Sequence, residues 1–145
     1  MADHIRKQIR DAIVSDITGL DTTGDNVYSG RVYPYDVYPC LAVYTELDET
    51  SESIDGMGYD GRVISVNIEA HNKTNSNLAA SLDEILAEVY LAIRDGASIA
   101  AIVDAILIEQ TRIEINADAD QPTGTATIYY KAYTRVQLGD PTTIL

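Results

Sequence analysis

"RVISVNIEAH", residues 62–71, and the stretch that follows it up to residue 96 decide the fold class of this chain. From Arg62 to His71 apolar and polar residues alternate, which predicts a strand with one buried and one wet face. The buried side would carry Ile64, Val66, Ile68 and Ala70, and the wet side Ser65, Asn67, Glu69 and His71. After "NKTNSN", which offers several N-caps, apolar residues recur every three or four positions from Leu78 to Arg94 and predict a long helix.

The remaining elements follow from the same two periodicities. They are a helix at 5–17, strands at 26–33 and 41–46, a short helix at 99–106, strands at 107–115 and 126–136, and a C-terminal tail at 137–145. We therefore predict an α+β fold in the order α-β-β-β-α-(α)-β-β. Helices would cover one face of a single β-sheet, mostly antiparallel or mixed, in a single domain over residues 1–145.

Composition limits the classes of function. The chain has 145 residues, a formal net charge of −13 and a pI of about 4.2. Such acidity repels nucleic acid and anionic lipid, so we expect neither as a binding partner. The lone Cys40 excludes an intrachain disulfide and is expected to be a small buried hydrophobe. Because no signal peptide or membrane-length apolar run is evident, the predicted location is the cytoplasm.

An acidic segment at residues 47–61 is predicted to be a mobile loop without secondary structure. Residues 47–61 contain no lysine or arginine, so the loop should extend by self-repulsion. The acidic loop residues singled out are Asp48, Glu49, Glu52 and Asp55. Ile54, Met57 and Tyr59 interrupt this charge with apolar groups, which indicates anchors that become buried when the loop orders on a partner.

No motif in the chain predicts a recognisable chemistry. Residues 56–61 spell GxGxxG, but a strand follows them where a dinucleotide site needs a helix, and the surrounding acids would repel a diphosphate. Asp118 and Asp120 imitate the start of a calcium loop, whose later ligands are replaced. His4 and His71 are isolated and are expected to be ordinary surface histidines. We therefore expect no catalytic residue, no metal and no cofactor.

The order of elements and several short stretches resemble the tail terminator proteins of long-tailed bacteriophages. The stretches are an opening helix "IRKQIRDAIVSDI", then "VYSGRVYP", a proline-led strand "YPCLAVYTE" and, after a polar loop, "GRVISVNIEAHNK". A helix "LAASLDEILAEVYLAI" and a closing strand "TATIYYKAYTRV" complete the pattern. The resemblance covers nearly the whole chain, from residue 3 to residue 136.

The resemblance implies a structural protein without enzymatic activity. Members form a ring, commonly a hexamer, that caps the tail tube, ends its polymerisation and presents a surface for head joining. The implied partners are other copies of the chain, the tail-tube protein and a head–tail connector or neck protein. DNA would pass through the ring without specific binding, because the acidic wall repels it. The implied location is the virion tail, after assembly in the cytoplasm of the host bacterium.

In relatives, the loop that corresponds to residues 47–61 is mobile in the free subunit and becomes ordered at ring or tube contacts. We therefore expect Ile54, Met57 and Tyr59 to make assembly contacts. Asp48, Glu49, Glu52 and Asp55 would line the loop or the lumen. Two other classes of function stay open: another phage neck or tail-completion protein, and a small ligand-binding or enzymatic α+β domain with a buried pocket.

Overall fold

The computed structural model describes residues 3–30, 37–54, 58–74, 76–116 and 121–145, with the backbone alone at residues 52–54. Within these residues, helices and strands follow one another in the predicted order, and the α+β class is confirmed. The elements are α1 (Ile5–Ile17), β1 (Val27–Ser29), β2 (Cys40–Ile54), β3 (Tyr59–Lys73), α2 (Leu78–Arg94), α3 (Ala97–Ala100), β4 (Ala105–Asn116) and β5 (Thr123–Gln137).

The strands form one mixed sheet in the order β1-β2-β3-β5-β4. β1 and β2 run parallel, with Val27 opposite Leu41, whereas the other neighbours are antiparallel. A parallel pair cannot be joined by a tight hairpin, so the connection between these two strands is of another kind. β5 pairs with β3 along its whole length and separates β3 from β4. β4 therefore forms one edge of the sheet.

Helices α1 and α2 cover one face of the sheet with apolar stripes. The buried residues of α1 are Ile5, Ile9, Ile13 and Ile17. Those of α2 are Leu78, Leu82, Ile85, Leu86, Val89 and Ile93. Both stripes join the apolar side of β3 in one core cluster, as predicted. Because burying one large apolar side chain contributes about 1.5–3 kcal/mol, this helix–sheet layer is the main apolar contribution to stability.

Local hydrogen bonds fix the helix ends. Asn77 precedes α2, and its side chain accepts a hydrogen bond from the backbone N–H of Ala80 at 3.3 Å, so it is one of the N-caps that "NKTNSN" offered. Asp16, near the end of α1, accepts from the backbone N–H groups of Ser98 at 3.2 Å and Ile99 at 2.9 Å. This carboxylate therefore ties α1 to the first turn of α3.

The prediction that residues 47–61 lack secondary structure is wrong, because β2 and β3 continue through most of this segment. The two strands stay paired as far as Ile54 opposite Tyr59, across two irregularities of register. The acidic composition argued against a strand, but β3 supplies β-branched neighbours and a base, Arg62, across the ladder. Residues 55–57 lie outside the described residues.

The C-terminal residues predicted as a tail, 137–145, fold back against the domain. Gly139 has a φ of 75°, which glycine adopts without strain, and the chain reverses there. Ile144 then forms a bridge with β5 and packs against the core. The carbonyl of Pro141 accepts a hydrogen bond from the backbone N–H of Ile5 at 2.8 Å, which joins this segment to the start of α1.

Candidate functional site

The face of the sheet away from the helices, called here the open face, carries three rows of side chains, most of them polar. The rows are Tyr44, Asn67, Tyr129 and Gln110, then Ala42, Glu69, Thr127 and Arg112, then Cys40, His71, Thr125 and Glu114. The prediction that this side of β3 is wet is wrong. Asn67 and Glu69 are 2% exposed and His71 is 6% exposed, so His71 is not a surface histidine. β3 lies inside the sheet, and side chains from both neighbouring strands flank these residues.

Glu69 is the centre of a hydrogen-bond network on this face. Its carboxylate accepts a hydrogen bond from the hydroxyl of Tyr44 at 2.6 Å and lies 2.9 Å from Nε2 of His71. Nδ1 of His71 lies 3.1 Å from Oγ1 of Thr125. A neutral imidazole that donates from Nε2 and accepts at Nδ1 satisfies both contacts. These donors offset the desolvation of the buried carboxylate.

The network borders a pocket of about 270 Å³. Four strands contribute its lining residues, which are Tyr44, Glu46, Asn67, Glu69, Arg112, Glu114, Thr125, Thr127 and Tyr129. The side-chain amide of Asn67 donates to Glu46 at 2.8 Å, and the guanidinium of Arg112 lies over the ring of Tyr129, 6.0 Å from its centroid. The lining thus combines carboxylates, hydroxyls and aromatic rings with one guanidinium, and the pocket is a polar recess.

A carboxylate, an imidazole and a hydroxyl in a row can also activate a nucleophile. Acyl transfer would further require donors beside the hydroxyl, aimed at a developing oxyanion. Thr125 lies on β5, an inner strand whose backbone amides are engaged with β3 and β4. The described residues therefore do not place an oxyanion hole at Thr125. The arrangement has the character of a buried structural network beneath a binding recess.

Cys40 lies on the same open face, directly opposite His71. It is fully buried, in a small cluster with Ala42 and Tyr28, and the prediction of a buried hydrophobe is confirmed. Burial raises the pKa of its thiol to about 11. The thiol is therefore protonated at neutral pH and is a poor nucleophile.

Of the predicted acidic loop residues, Asp48 is ion-paired. Its carboxylate lies 3.2 Å and 3.3 Å from Nη1 of Arg62, and 3.5 Å from Nε of Arg6 at the start of α1. Glu49, the next residue of β2, is exposed. Part of the predicted self-repulsion is thus replaced by ion pairs between β2, β3 and α1.

Among the predicted assembly contacts, Tyr59 is the first residue of β3 and is half-buried. The guanidinium of Arg135 lies 5.7 Å from the centroid of its ring, so this side chain already packs within the chain. Other predicted residues lie outside the described part of the chain, namely Asp55, Met57, Asp118 and Asp120 entirely, and the side chains of Glu52 and Ile54.

β4 presents a bare edge. In the described part of the chain it pairs with β5 alone, and all its residues from Leu107 to Asn116 are exposed. Four of its large apolar side chains are exposed by 47% or more, namely Leu107, Ile108, Ile113 and Ile115, whereas Ile106 is partly buried. Unpaired backbone groups beside apolar side chains make a long edge strand a surface for pairing with another chain.

An apolar groove of about 400 Å³ adjoins this edge, between α2 and β4. Its walls include Tyr90 and Ile93 of α2 and Ile106 of β4, with Tyr130 of β5 between them. Tyr130 is 2% exposed, and its hydroxyl has no hydrogen-bond partner within the described ranges. Burial, together with the nearby Tyr90, raises the pKa of Tyr130 far above its usual value. The groove is therefore mostly apolar, and Arg94 and the two tyrosines are the polar residues of its lining.

Sequence reasoning missed both the polar pocket and the bare edge. Alternating polar residues are typical of a solvent-facing side, and the alternation in β3 does not distinguish wet polar groups from buried, hydrogen-bonded ones. The pattern of residues 107–115 predicted a strand, but the position of that strand in the sheet depends on where β5 inserts. The one available signal for the pocket was the chemistry of Asn67, Glu69 and His71, which can hydrogen-bond one another.

Comparison with known proteins finds no protein-family model that matches the chain and no matching curated protein. Among the described residues, no helix combines the length and the apolar character needed to cross a membrane. The same residues bring together no group of three or more His, Cys, Asp or Glu side chains that could hold a metal ion.

Proposed function

We propose that this chain is a structural phage protein that forms a ring, hexameric as is common in the tail terminator family that it resembles, and caps the tail tube. The ring ends polymerisation of the tube and offers a surface to a head–tail connector or neck protein. Its partners are other copies of the chain and the tail-tube protein, and DNA passes through it without specific binding. It works in the virion tail without enzymatic activity or a cofactor.

The observation that carries the proposal is the bare edge of β4. A strand of twelve residues with exposed isoleucines is an aggregation hazard in a protein that works alone. In a subunit of an assembly, the same edge is covered by a neighbour. The edge therefore supports a function in which another protein chain binds the sheet.

The charge of the chain supports a role in which DNA passes without binding. The net charge is −13, and exposed acids such as Glu46 and Glu49 lie on β2 at the opposite side of the sheet from β4. A ring of such subunits has a repulsive wall for DNA. Passage without adhesion follows from this repulsion.

Tail length tests the function. Phage particles assembled without this chain should carry overlong tails in electron micrographs, because nothing ends the growth of the tube. Purified protein added to growing tail-tube protein should shorten the tubes and sit at one end as a ring. Normal tail lengths in particles that lack the chain would contradict the proposal.

A pair of variants tests the role of the edge separately. Ile115→Lys places a charge on the bare edge, and Leu91→Lys places the same charge on α2 at a side chain of similar exposure, 51% against 47%. We expect overlong tails with Ile115→Lys and normal tails with Leu91→Lys. Normal tails with both variants would show that capping does not use this edge. The tail length of particles that lack the chain would still test the capping function itself.

The same experiment separates the nearest alternative, another phage neck or tail-completion protein. Loss of such a head–tail connector leaves tails of normal length that do not join heads. Particles of that kind, obtained without this chain, would assign it to the neck in place of the tube end.

The polar pocket favours a second candidate, a small ligand-binding domain. Three carboxylates line the pocket, from Glu46, Glu69 and Glu114, against one guanidinium, so a cationic ligand fits its charge. Isothermal calorimetry with L-arginine amide tests this candidate, with Glu114→Gln as the weakened variant and Glu109→Gln as the control. If L-arginine amide gives the same binding heat with both variants, or none with either, the ligand-binding candidate is rejected.

A further inference from the structure

We infer that β4 pairs with β4 of a second copy, antiparallel and about a two-fold axis, with Ile113 opposite Ile113. The pairing joins two five-stranded sheets into one continuous sheet. The contact is a property of the free protein, and the inference does not depend on the proposed function.

The edge of β4 carries two opposite charges that lack ionic partners among the described residues. Arg112 and Glu114 stand two positions apart on the open face and are both exposed. The guanidinium of Arg112 contacts the ring of Tyr129, and the structure gives Glu114 no ion pair. Elsewhere on β4 and β5 the charges are matched within the chain, as in the 3.5 Å pair of Lys131 with Glu109.

The register follows from these charges. A two-fold axis perpendicular to the sheet keeps the open face of both copies on one side, and an axis at Ile113 puts Arg112 of each copy opposite Glu114 of the other. Opposite charges directly across an antiparallel pair are favourable. An axis one residue earlier would oppose the two copies of Arg112, and an axis one residue later would oppose the two copies of Glu114. Only the central register satisfies both charges.

The other face of the same strand is self-complementary too. Ile113 and Ile115 lie on the side of the sheet that carries the helices, since their β5 partners, Ala126 and Gly124, face the core or α2. Both isoleucines are nonetheless 47% exposed. In the central register Ile113 meets its own copy, and Ile115 meets Thr111 of the second copy in both directions. The pairing therefore covers the apolar row.

The second edge of the sheet is a poorer partner for β4. The part of β2 beyond β1 carries Glu46, Asp48 and Glu49. Among the described residues, the bases beside it are already engaged, since Arg6 and Arg62 bind Asp48 and Arg10 donates a hydrogen bond to Thr45 at 3.0 Å. Against this strand, Glu109 and Glu114 would meet like charge. Charge thus selects a second β4 over β2 as the strand that covers the edge.

A two-fold contact is closed, because each copy uses its β4 edge once and no β4 edge is left to bind a third copy. A head-to-tail ring does not contain such a contact. If the chain also caps a tube, the dimer is the form that covers the edge before assembly, and it must open as the ring forms.

A disulfide trap tests the register. In the background Cys40→Ala, which removes the single native thiol, Ile113→Cys should form an intermolecular disulfide under mild oxidation. Residues directly opposite in an antiparallel pair have Cα atoms about 4.5–5.5 Å apart, within the range of disulfides. Leu91→Cys, similarly exposed on α2, is the control and should form no intermolecular disulfide. Equal cross-linking of both variants would overturn the register.

Charge reversal tests the pairing without a covalent bond. The native chain should sediment at twice its mass of 15.8 kDa. Arg112→Glu should weaken the dimer about tenfold, because two cross-strand pairs turn repulsive. The double variant Arg112→Glu with Glu114→Arg should restore it, since each pair is rebuilt with its signs exchanged. A monomeric native chain, or a double variant as weak as the single one, would overturn the inference.

Discussion

The two faces of β3 are buried to a similar extent by opposite chemistries. On the helix side, Ile64, Val66 and Ile68 are fully buried among the apolar stripes of α1 and α2. On the open side, Asn67 and Glu69 are 2% exposed and are held by directional hydrogen bonds. Apolar packing depends on area and shape, whereas the polar face depends on particular donors and acceptors. Burial alone therefore does not identify the kind of interaction that stabilises a face.

The core between the helices and the sheet is apolar, so a charge placed there should destabilise the fold, whereas the open face already holds the buried carboxylate of Glu69. Ile85→Asp on α2 buries a carboxylate without donors, and we expect the free energy of unfolding to fall by at least about 4 kcal/mol, enough to prevent folding. Circular dichroism in a urea titration measures this loss. The control Leu91→Asp, on the exposed side of the same helix, should change stability by less than about 1 kcal/mol. Cooperative unfolding of Ile85→Asp at the native midpoint would show that the stripe is not buried.

On the polar face, loss of the charge should be the damaging change. Glu69→Ala removes the acceptor of the Tyr44 hydroxyl and the partner of Nε2 of His71. We expect a loss of about 3 kcal/mol, because each buried group left without a partner costs about 1–3 kcal/mol. The same urea titration compares it with Glu109→Ala, an exposed carboxylate on β4. Similar stabilities for the two variants would mean that the network contributes no more than a surface charge.

The smallest perturbation is chemical labelling of Cys40, which asks whether the open face is buried in solution. A thiol pKa of about 11, raised from 9.0 by burial, leaves about 100-fold less thiolate at pH 8 than an exposed cysteine has. We expect a disulfide reagent to react at least about 100-fold more slowly in native buffer than in urea. The native rate should rise with pH until the thiol ionises. Equal rates in buffer and in urea would place Cys40 in contact with solvent.

Several features could be predicted from the sequence because they depend on residues close together in the chain. The helix from Leu78 to Arg94 is present with the bounds that its apolar spacing indicated. The apolar side of β3 faces the core, and Cys40 is buried, as predicted. A periodicity and a cap are local properties, so a single segment contains the information that specifies them.

The tertiary structure alone decided what each strand meets. β5 inserts between β3 and β4, which encloses Glu69 and His71 within the sheet and leaves β4 at its edge. Pairing with β3 likewise keeps the acidic residues of β2 in a strand, where composition had predicted a loop. Strand order is set by contacts between residues far apart in the chain. The alternation of one strand records which residues share a side, but not whether a neighbouring strand, water or a second subunit will cover that side.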